Sequence, residues 1–182
     1  MSFAARYGPW AVVAGASEGL GAAFATELSH RGLNLILVAR RPEPLRDLSS
    51  RLSTETVTVA ADLATPEGVA ACVAAASGHE VGLVVANAAY SPIGAFVTLD
   101  ASQSDQAVRV NCAAPVQLAH AFLPAMVSRG RGGRVRWRRP RPAPRTRRRR
   151  GPTVRICRGT SRDGPLEGVV AAQAQHHRDR HQ

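Results

Sequence analysis

Between Trp10 and Ser128 the chain alternates short apolar runs with longer alanine-rich stretches of helical period. The runs WAVVAG (10–15), LNLILVAR (33–40), TVTVAADL (56–63) and VGLVVANAA (81–89) are dominated by aliphatic and β-branched residues and read as four strands. Each is nearly continuous in apolar residues, as strands covered on both faces require. Helices are predicted over 19–31, 43–53, 65–77 and 101–128. Strand and helix alternating in this way imply a parallel sheet with right-handed crossovers and helices on both faces, an α/β doubly wound architecture.

After Gly130 neither period survives. Arg, Pro and Gly dominate, and prolines at 140, 142, 144 and 152 oppose any long element; only LEGVVAAQAQ (166–175) suits a short helix. The expected organisation is therefore one domain over 1–130, followed by an irregular basic tail over 131–182. Charge divides at almost the same place. All 24 basic residues are arginine. Residues 1–128 hold 7 Arg against 10 Asp and Glu, a net −3, and residues 129–182 hold 17 against 3, a net +14. An Arg-rich tail could bind nucleic acid through phosphates, which keeps a nucleic-acid module as the rival reading, although Trp137 is its one aromatic residue for base stacking.

The remaining chemistry-bearing residues bound the picture. Cys72, Cys112 and Cys157 are an odd set without pairing or metal-ligand spacing, which favours a reducing compartment; Cys72 and Cys112, set among alanines, read as small core residues. His30 and His79 are isolated and expected to be exposed, and His120 has no partner four residues away. His176, His177 and His181 lack the carboxylate or cysteine that would complete a ligand set, so no metal site is predicted. The opening MSFAARYGPW has no leader pattern and no 18-residue apolar run follows, so the expected setting is cytoplasmic, away from membranes.

The first strand leads directly into AGASEGLG, with Gly15, Gly19 and Gly21, together with Ser17 and Leu20, at the opening of a helix. Missing side chains there let backbone N–H groups and the positive helix end approach a pyrophosphate. A tight strand-to-helix turn also favours glycine whatever it binds. The second strand ends in Arg40 and Arg41, where a dinucleotide fold often carries an acid for the ribose 2′-hydroxyl. Two cations favour a 2′-phosphate, hence NADP(H) over NAD(H), with Ser17 as a further donor. The alternative is that both arginines are solvated residues opening the next helix.

Taken in order, these features resemble the short-chain dehydrogenase/reductase family over residues 7–128. AGASEGLG is similar to the family's T-G-x-x-x-G-x-G loop, with Ala14 in the threonine place. Ala61-Asp62-Leu63 resembles the segment near the adenine, and Asn87-Ala88-Ala89 the N-N-A-G motif, with Ala86 and Ala89 as departures. Asn111 matches the helix asparagine that in the family holds a water of the proton relay. Plainer roles stay open: Asp62 as a turn cap, Asn87 as a partner of strand-end backbone groups, Asn111 as a buried helix amide. The opening and the second strand are closest to the branch of 3-ketoacyl reductases and 17β-hydroxysteroid dehydrogenases. The resemblance implies a Rossmann-like sheet with strand order 3-2-1-4, a nicotinamide cofactor held by Gly15, Ser17, Gly19, Leu20, Gly21, Arg40, Arg41, Asp62, Leu63, Asn87 and Ala88, and a small carbonyl or alcohol substrate.

The resemblance does not extend to the catalytic half. The family's chemistry needs a tyrosine, a lysine four residues later and an upstream serine. Residues 129–160 contain no Ser, Tyr or Lys, and the only tyrosines are Tyr7 and Tyr90. Asn111 is the single relay member left, so the chain is expected to be a catalytically incomplete oxidoreductase or a non-catalytic nucleotide binder. A GC-rich gene read in a displaced frame gives runs of Arg, Pro and Gly, because CGN, CCN and GGN codons dominate. Shifting Gln173–His181 by one nucleotide yields a strand-like pattern, which agrees with a frameshift. Without a fifth strand, 81–89 would be an exposed apolar edge unless residues 134–138 pair with it.

Overall fold

The structure, a computed structural model, describes residues 2–136, 154–158 and 169–170, with side chains as far as Arg134. The chain opens with a five-residue helix, α1 (Phe3–Tyr7), capped by the Ser2 hydroxyl, which accepts from the Ala5 N–H at 3.1 Å. There follow β1 (Trp10–Ala14), α2 (Gly19–His30), β2 (Asn34–Ala39), α3 (Pro42–Ser49), β3 (Thr56–Ala60), α4 (Pro66–Ala75) and β4 (Val81–Ala86). Then come α5 (Ala101–Val108), a π-turn (Arg109–Ala113), α6 (Ala114–Ser128) and the strands β5 (Gly133–Arg136), β6 (Val154–Arg158) and β7 (Val169–Val170).

The sheet order is β3-β2-β1-β4-β5-β6-β7. The first five are parallel, and β6 and β7 add antiparallel. The expected 3-2-1-4 order is present at one side, and the doubly wound, Rossmann-like class holds. The apolar edge at β4 does not arise, because Gly133–Arg136 pairs with Leu83–Ala86. The structure thus carries the sheet past residue 130. Val169 and Val170, within the stretch suited to a helix, are instead a strand against β6. Trp137, the C-terminal histidines and most of the Arg/Pro-rich stretch lie outside the described residues, and with them the nucleic-acid reading.

Alternation along the strands sorts the core into two layers. Ala11, Val13, Leu35, Leu37, Leu83 and Val85 face α2 and α3, meeting Ala25, Leu28, Leu45 and Leu48. Val12, Ala14, Ile36, Val38 and Val84 face α4 and α6, meeting Val69, Cys72, Leu118 and Phe122. β3 departs from the expected full burial: Thr58 and Ala60 are exposed, because among the described residues this strand has a neighbour on one side only.

Gly82 is where α1 joins this sheet. The β1–β4 register shifts between Trp10 and Ala11, leaving Gly82 as the extra residue. A Cβ on it would fall 1.3 Å from the Tyr7 carbonyl oxygen, so only glycine admits the α1 backbone here.

From Ala101 to Ser128 the helix is continuous, and by length and composition alone it could cross a membrane. Its buried residues are Val110, Ala114, Leu118, Phe122 and Met126, spaced four apart, together with Pro115 beside Ala114. That stripe covers β4, as expected of a core helix. Arg129 and Arg131, counted with the basic tail by charge, are part of the domain. Both pair with Glu80, and Arg129 also donates to the Val81 carbonyl at 2.7 Å.

Candidate functional site

A cleft of roughly 240 Å³ opens at the carboxyl ends of β1, β2 and β4. It is lined by Gly15, Ser17, Glu18, Ala39, Arg40, Ala61, Asp62, Leu63, Asn87, Ala88, Ala89, Tyr90, Gln106 and Val110. Ligands of open α/β sheets sit at this end, where the strand order reverses between β1 and its two neighbours.

The glycine loop is shaped by three different requirements. Gly15 has φ +80°, and a Cβ there would meet the Ala88 backbone at 2.7 Å. Gly21, in the first turn of α2, passes so close to the Gly15 carbonyl that a Cβ would fall 1.9 Å from its oxygen. Gly19 differs: φ is +57°, and the space above it is open. Gly15 therefore packs the loop against Ala88 and Gly21 packs it against itself, while Gly19 presents bare backbone outward. Hydrogen bonds from the Gly15 and Ala16 N–H groups to the Val38 carbonyl, at 2.8 and 3.1 Å, pin the loop to β2.

Asn87 closes the loop from the other side. Its Nδ2 donates to the Gly15 carbonyl at 3.2 Å and its N–H to the Ala14 carbonyl at 3.1 Å, the role of a partner for strand-end backbone groups. Asp62 combines both readings. Oδ1 accepts from the Ala64 N–H at 2.9 Å, which caps the turn, while the residue also lines the cleft. Buried Leu63 supplies an apolar floor.

Arg40 and Arg41 part company. Arg40 lines the cleft, and among the described residues it makes no ion pair. Arg41 is absent from the lining, and its Nη2 donates to Glu18 Oε2 at 2.9 Å. Leu20, half-buried in the first turn of α2, stands outside the lining as well.

Asn111 sits in the π-turn, and both ends of its amide are used by one residue. Oδ1 accepts from the Tyr90 N–H at 2.9 Å and Nδ2 donates to the Tyr90 carbonyl at 2.7 Å. The side chain thereby fixes the loop that follows β4. Pro115, four residues on, has no N–H for the Asn111 carbonyl, and its ring would crowd that carbonyl in a regular helix. Widening into a π-turn relieves the clash.

Some cleft residues have no counterpart among those singled out in the sequence. Glu18 was in plain view inside the glycine loop. Gln106 and Val110, four apart, could have been found from their helical spacing ahead of Asn111. Other expectations are corrected. Cys112 is exposed, because its place in the π-turn rotates it off the buried stripe. His79 is half-buried and stacks on Trp10 with ring centroids 3.9 Å apart. Cys72 is buried, and burial pushes its thiol up to about 12. No group of three or more metal-ligating side chains occurs among the described residues.

Known proteins agree with this architecture. Residues 9–135 match the model of the short chain dehydrogenase family. Inactive hydroxysteroid dehydrogenase-like protein 1 of Homo sapiens is 35% identical over 137 residues, covering 71% of this chain and 42% of that protein. The 7beta-hydroxysteroid dehydrogenase of Clostridium sardiniense is 32% identical over 136 residues, covering 72% and 52%. Among solved structures, the short-chain dehydrogenase from Sphingobium yanoikuyae in complex with NADPH superposes with a TM-score of 0.65 at 30% identity, covering 69% of this chain and 52% of that one. The chain thus spans about half the length of these relatives. With the glycine loop, Asp62, Asn87 and Asn111 on the elements where the resemblance expects them, the chain belongs to the short-chain dehydrogenase family of oxidoreductases.

Proposed function

We propose that this chain binds the adenosine and pyrophosphate half of a nicotinamide dinucleotide, NADP(H) in preference to NAD(H), and that it does not itself turn over a carbonyl substrate. The carrying observation is the single cleft that joins the glycine loop, Arg40, Asp62 and Asn87. Its chemistry fits. Outward backbone at Gly19 and the N-terminus of α2 suit a pyrophosphate; Leu63 and Ala61 offer an apolar bed for a base; Arg40 offers a cation where a 2′-phosphate would lie. A structural relative carries NADPH.

Bound nicotinamide would supply or accept a hydride, and the family reading makes the reacting partner a small carbonyl or alcohol. What the protein must add is a proton at the substrate oxygen. Asn111 cannot do so, since an amide does not titrate near neutrality, and its side chain is committed to Tyr90. No lysine exists to lower the pKa of a tyrosine. General acid help is worth about 10²–10⁴ in rate, with further loss where the substrate is not positioned.

A displaced reading frame beyond β5 accounts for this combination of a coherent cofactor half and an Arg/Pro-rich continuation. The family match ends at residue 135, inside β5. Cys72, buried and free, agrees with a reducing cytoplasmic setting.

Titration of the nicotinamide fluorescence tests the cofactor reading: NADPH should bind more tightly than NADH, both weakly, and equal affinities would overturn the role given to Arg40. The coding DNA across codons 125–140, translated in all frames, tests the second part. A frame-corrected chain should contain Tyr-x-x-x-Lys and reduce ketones with NADPH at least about 10²-fold faster than the present one. Comparable rates would refute both the frameshift and the need for the relay.

A further inference from the structure

We propose that Glu18 and Arg41 form a latch across the adenosine side of the cleft that lowers the chain's preference for a 2′-phosphate, making Glu18 a specificity-determining residue. The inference rests on the dinucleotide reading and refines it.

Glu18 is the N-cap of α2, with extended backbone at φ −162° and ψ 171°. An acid there ordinarily turns back to the free N–H groups of its own helix. Its side chain makes no such bond. It reaches across to Arg41, the N-cap of α3, with Oε2 and Nη2 2.9 Å apart. The pair joins the glycine loop to the end of β2, the two segments between which a 2′-phosphate would lie.

Three charges therefore meet at this rim. Arg40 and Glu18 line the cleft, and Arg41, held by Glu18, does not. Two cations and one anion leave a single net positive charge where the sequence advertised two. A 2′-phosphate monoester carries close to two negative charges at neutral pH and accepts bidentate bonds from a guanidinium. To engage Arg41 it must displace Glu18, and it must lie beside the carboxylate it displaces. A 2′-hydroxyl has no such competition and leaves the pair closed. Side chains 61% and 77% exposed are held loosely enough for the exchange. Arg40 thus carries the basic preference and the latch moderates it.

The test uses the full chain and two adenosine fragments, adenosine 2′,5′-bisphosphate and 5′-AMP, which need nothing from the nicotinamide side. Glu18→Gln keeps the shape and removes the charge. It should tighten the bisphosphate by roughly three- to ten-fold and change AMP by less than about two-fold. On an Arg41→Ala background the same substitution should gain less than about two-fold, since there is no latch to open. Both residues are exposed, and thermal melting of each variant checks that the fold is kept. An unchanged bisphosphate-to-AMP ratio in Glu18→Gln overturns the latch and leaves the dinucleotide reading standing. A full gain that persists without Arg41 also overturns it, because simple repulsion by Glu18 would then suffice. Binding of neither fragment by either protein overturns both the latch and the reading beneath it.

Discussion

β3 and β4 stand second and first from β1 on opposite sides of the sheet, and they are written differently. In β3, TVTVA, threonine alternates with valine; Thr58 and Ala60 are exposed, and among the described residues its outer edge has no neighbour. β4, VGLVVA, is buried at all six positions, with α6 across one face and the α2 side across the other. A strand that alternates can end a sheet, because solvent satisfies the polar face. A strand apolar on both faces must be followed by another. Here the cover is Gly133–Arg136, GRVR, a segment with two arginines in four residues that no apolar pattern would nominate. Pairing to β4, more than local propensity, makes it a strand.

The sharpest way to break this comparison is to remove β5. A chain ending at Arg131 leaves Leu83–Ala86 unpaired along one edge, and we expect it to lose about 3–5 kcal/mol and to aggregate. A chain ending at Arg136 should remain soluble and unfold cooperatively in urea. Equal behaviour of the two in size-exclusion chromatography and denaturation would mean that β4 does not need its neighbour.

The glycine loop offers a second contrast, somewhat smaller. Gly21→Ala drives a methyl into the Gly15 carbonyl and should cost about 3 kcal/mol while abolishing nucleotide binding. Gly19→Ala meets nothing but takes a left-handed backbone, at a cost of about 1 kcal/mol. Urea denaturation of both variants measures the difference. A milder Gly21→Ala would show that the loop and α2 can slide apart.

Within the strands the ordering should persist at lower magnitude. Val84→Ala, in the α6-facing core, is expected to cost about 2 kcal/mol, and Val59→Ala, half-buried in β3, less than about 1. Denaturation midpoints at constant slope decide it; similar losses would show that β3 is as central as β4.

These contrasts mark what the sequence makes legible. β1, β2 and β4 announce themselves because burial on both faces leaves an unbroken apolar run. α2 and the glycine loop are legible because a tight strand-to-helix turn admits few residues. α1 was invisible: five residues capped by Ser2 have no period to read, and their docking depends on Gly82, distant in sequence. The π-turn was hidden too, although Pro115 is its local cause. At the site, the glycines, Arg40, Asp62 and Asn87 were legible as a motif, since each acts near its own strand end. Where Arg41 points was not, because Glu18 is 23 residues away and nothing local sets their pairing.

The smallest effect concerns Cys72, which α4 presses into the same core layer as Val84. Burial raises its thiol from 9.0 to about 12, so between those values the unfolded chain gives up a proton that the folded chain keeps. The unfolded state then binds fewer protons, and stability falls as pH rises. The contribution is intact below pH 9 and is lost progressively towards pH 12. At pH 10 the expected loss is about 1.4 kcal/mol relative to pH 7. Cys72→Ala gives up a small volume at every pH but should lack this slope, so the difference between wild type and variant must narrow, or reverse, between pH 7 and pH 10. Urea denaturation of the two proteins at both pH values measures it. A difference that stays constant would mean that the α4 layer opens to solvent before the domain unfolds, and that the well-covered side of β4 is less tightly closed than its burial implies.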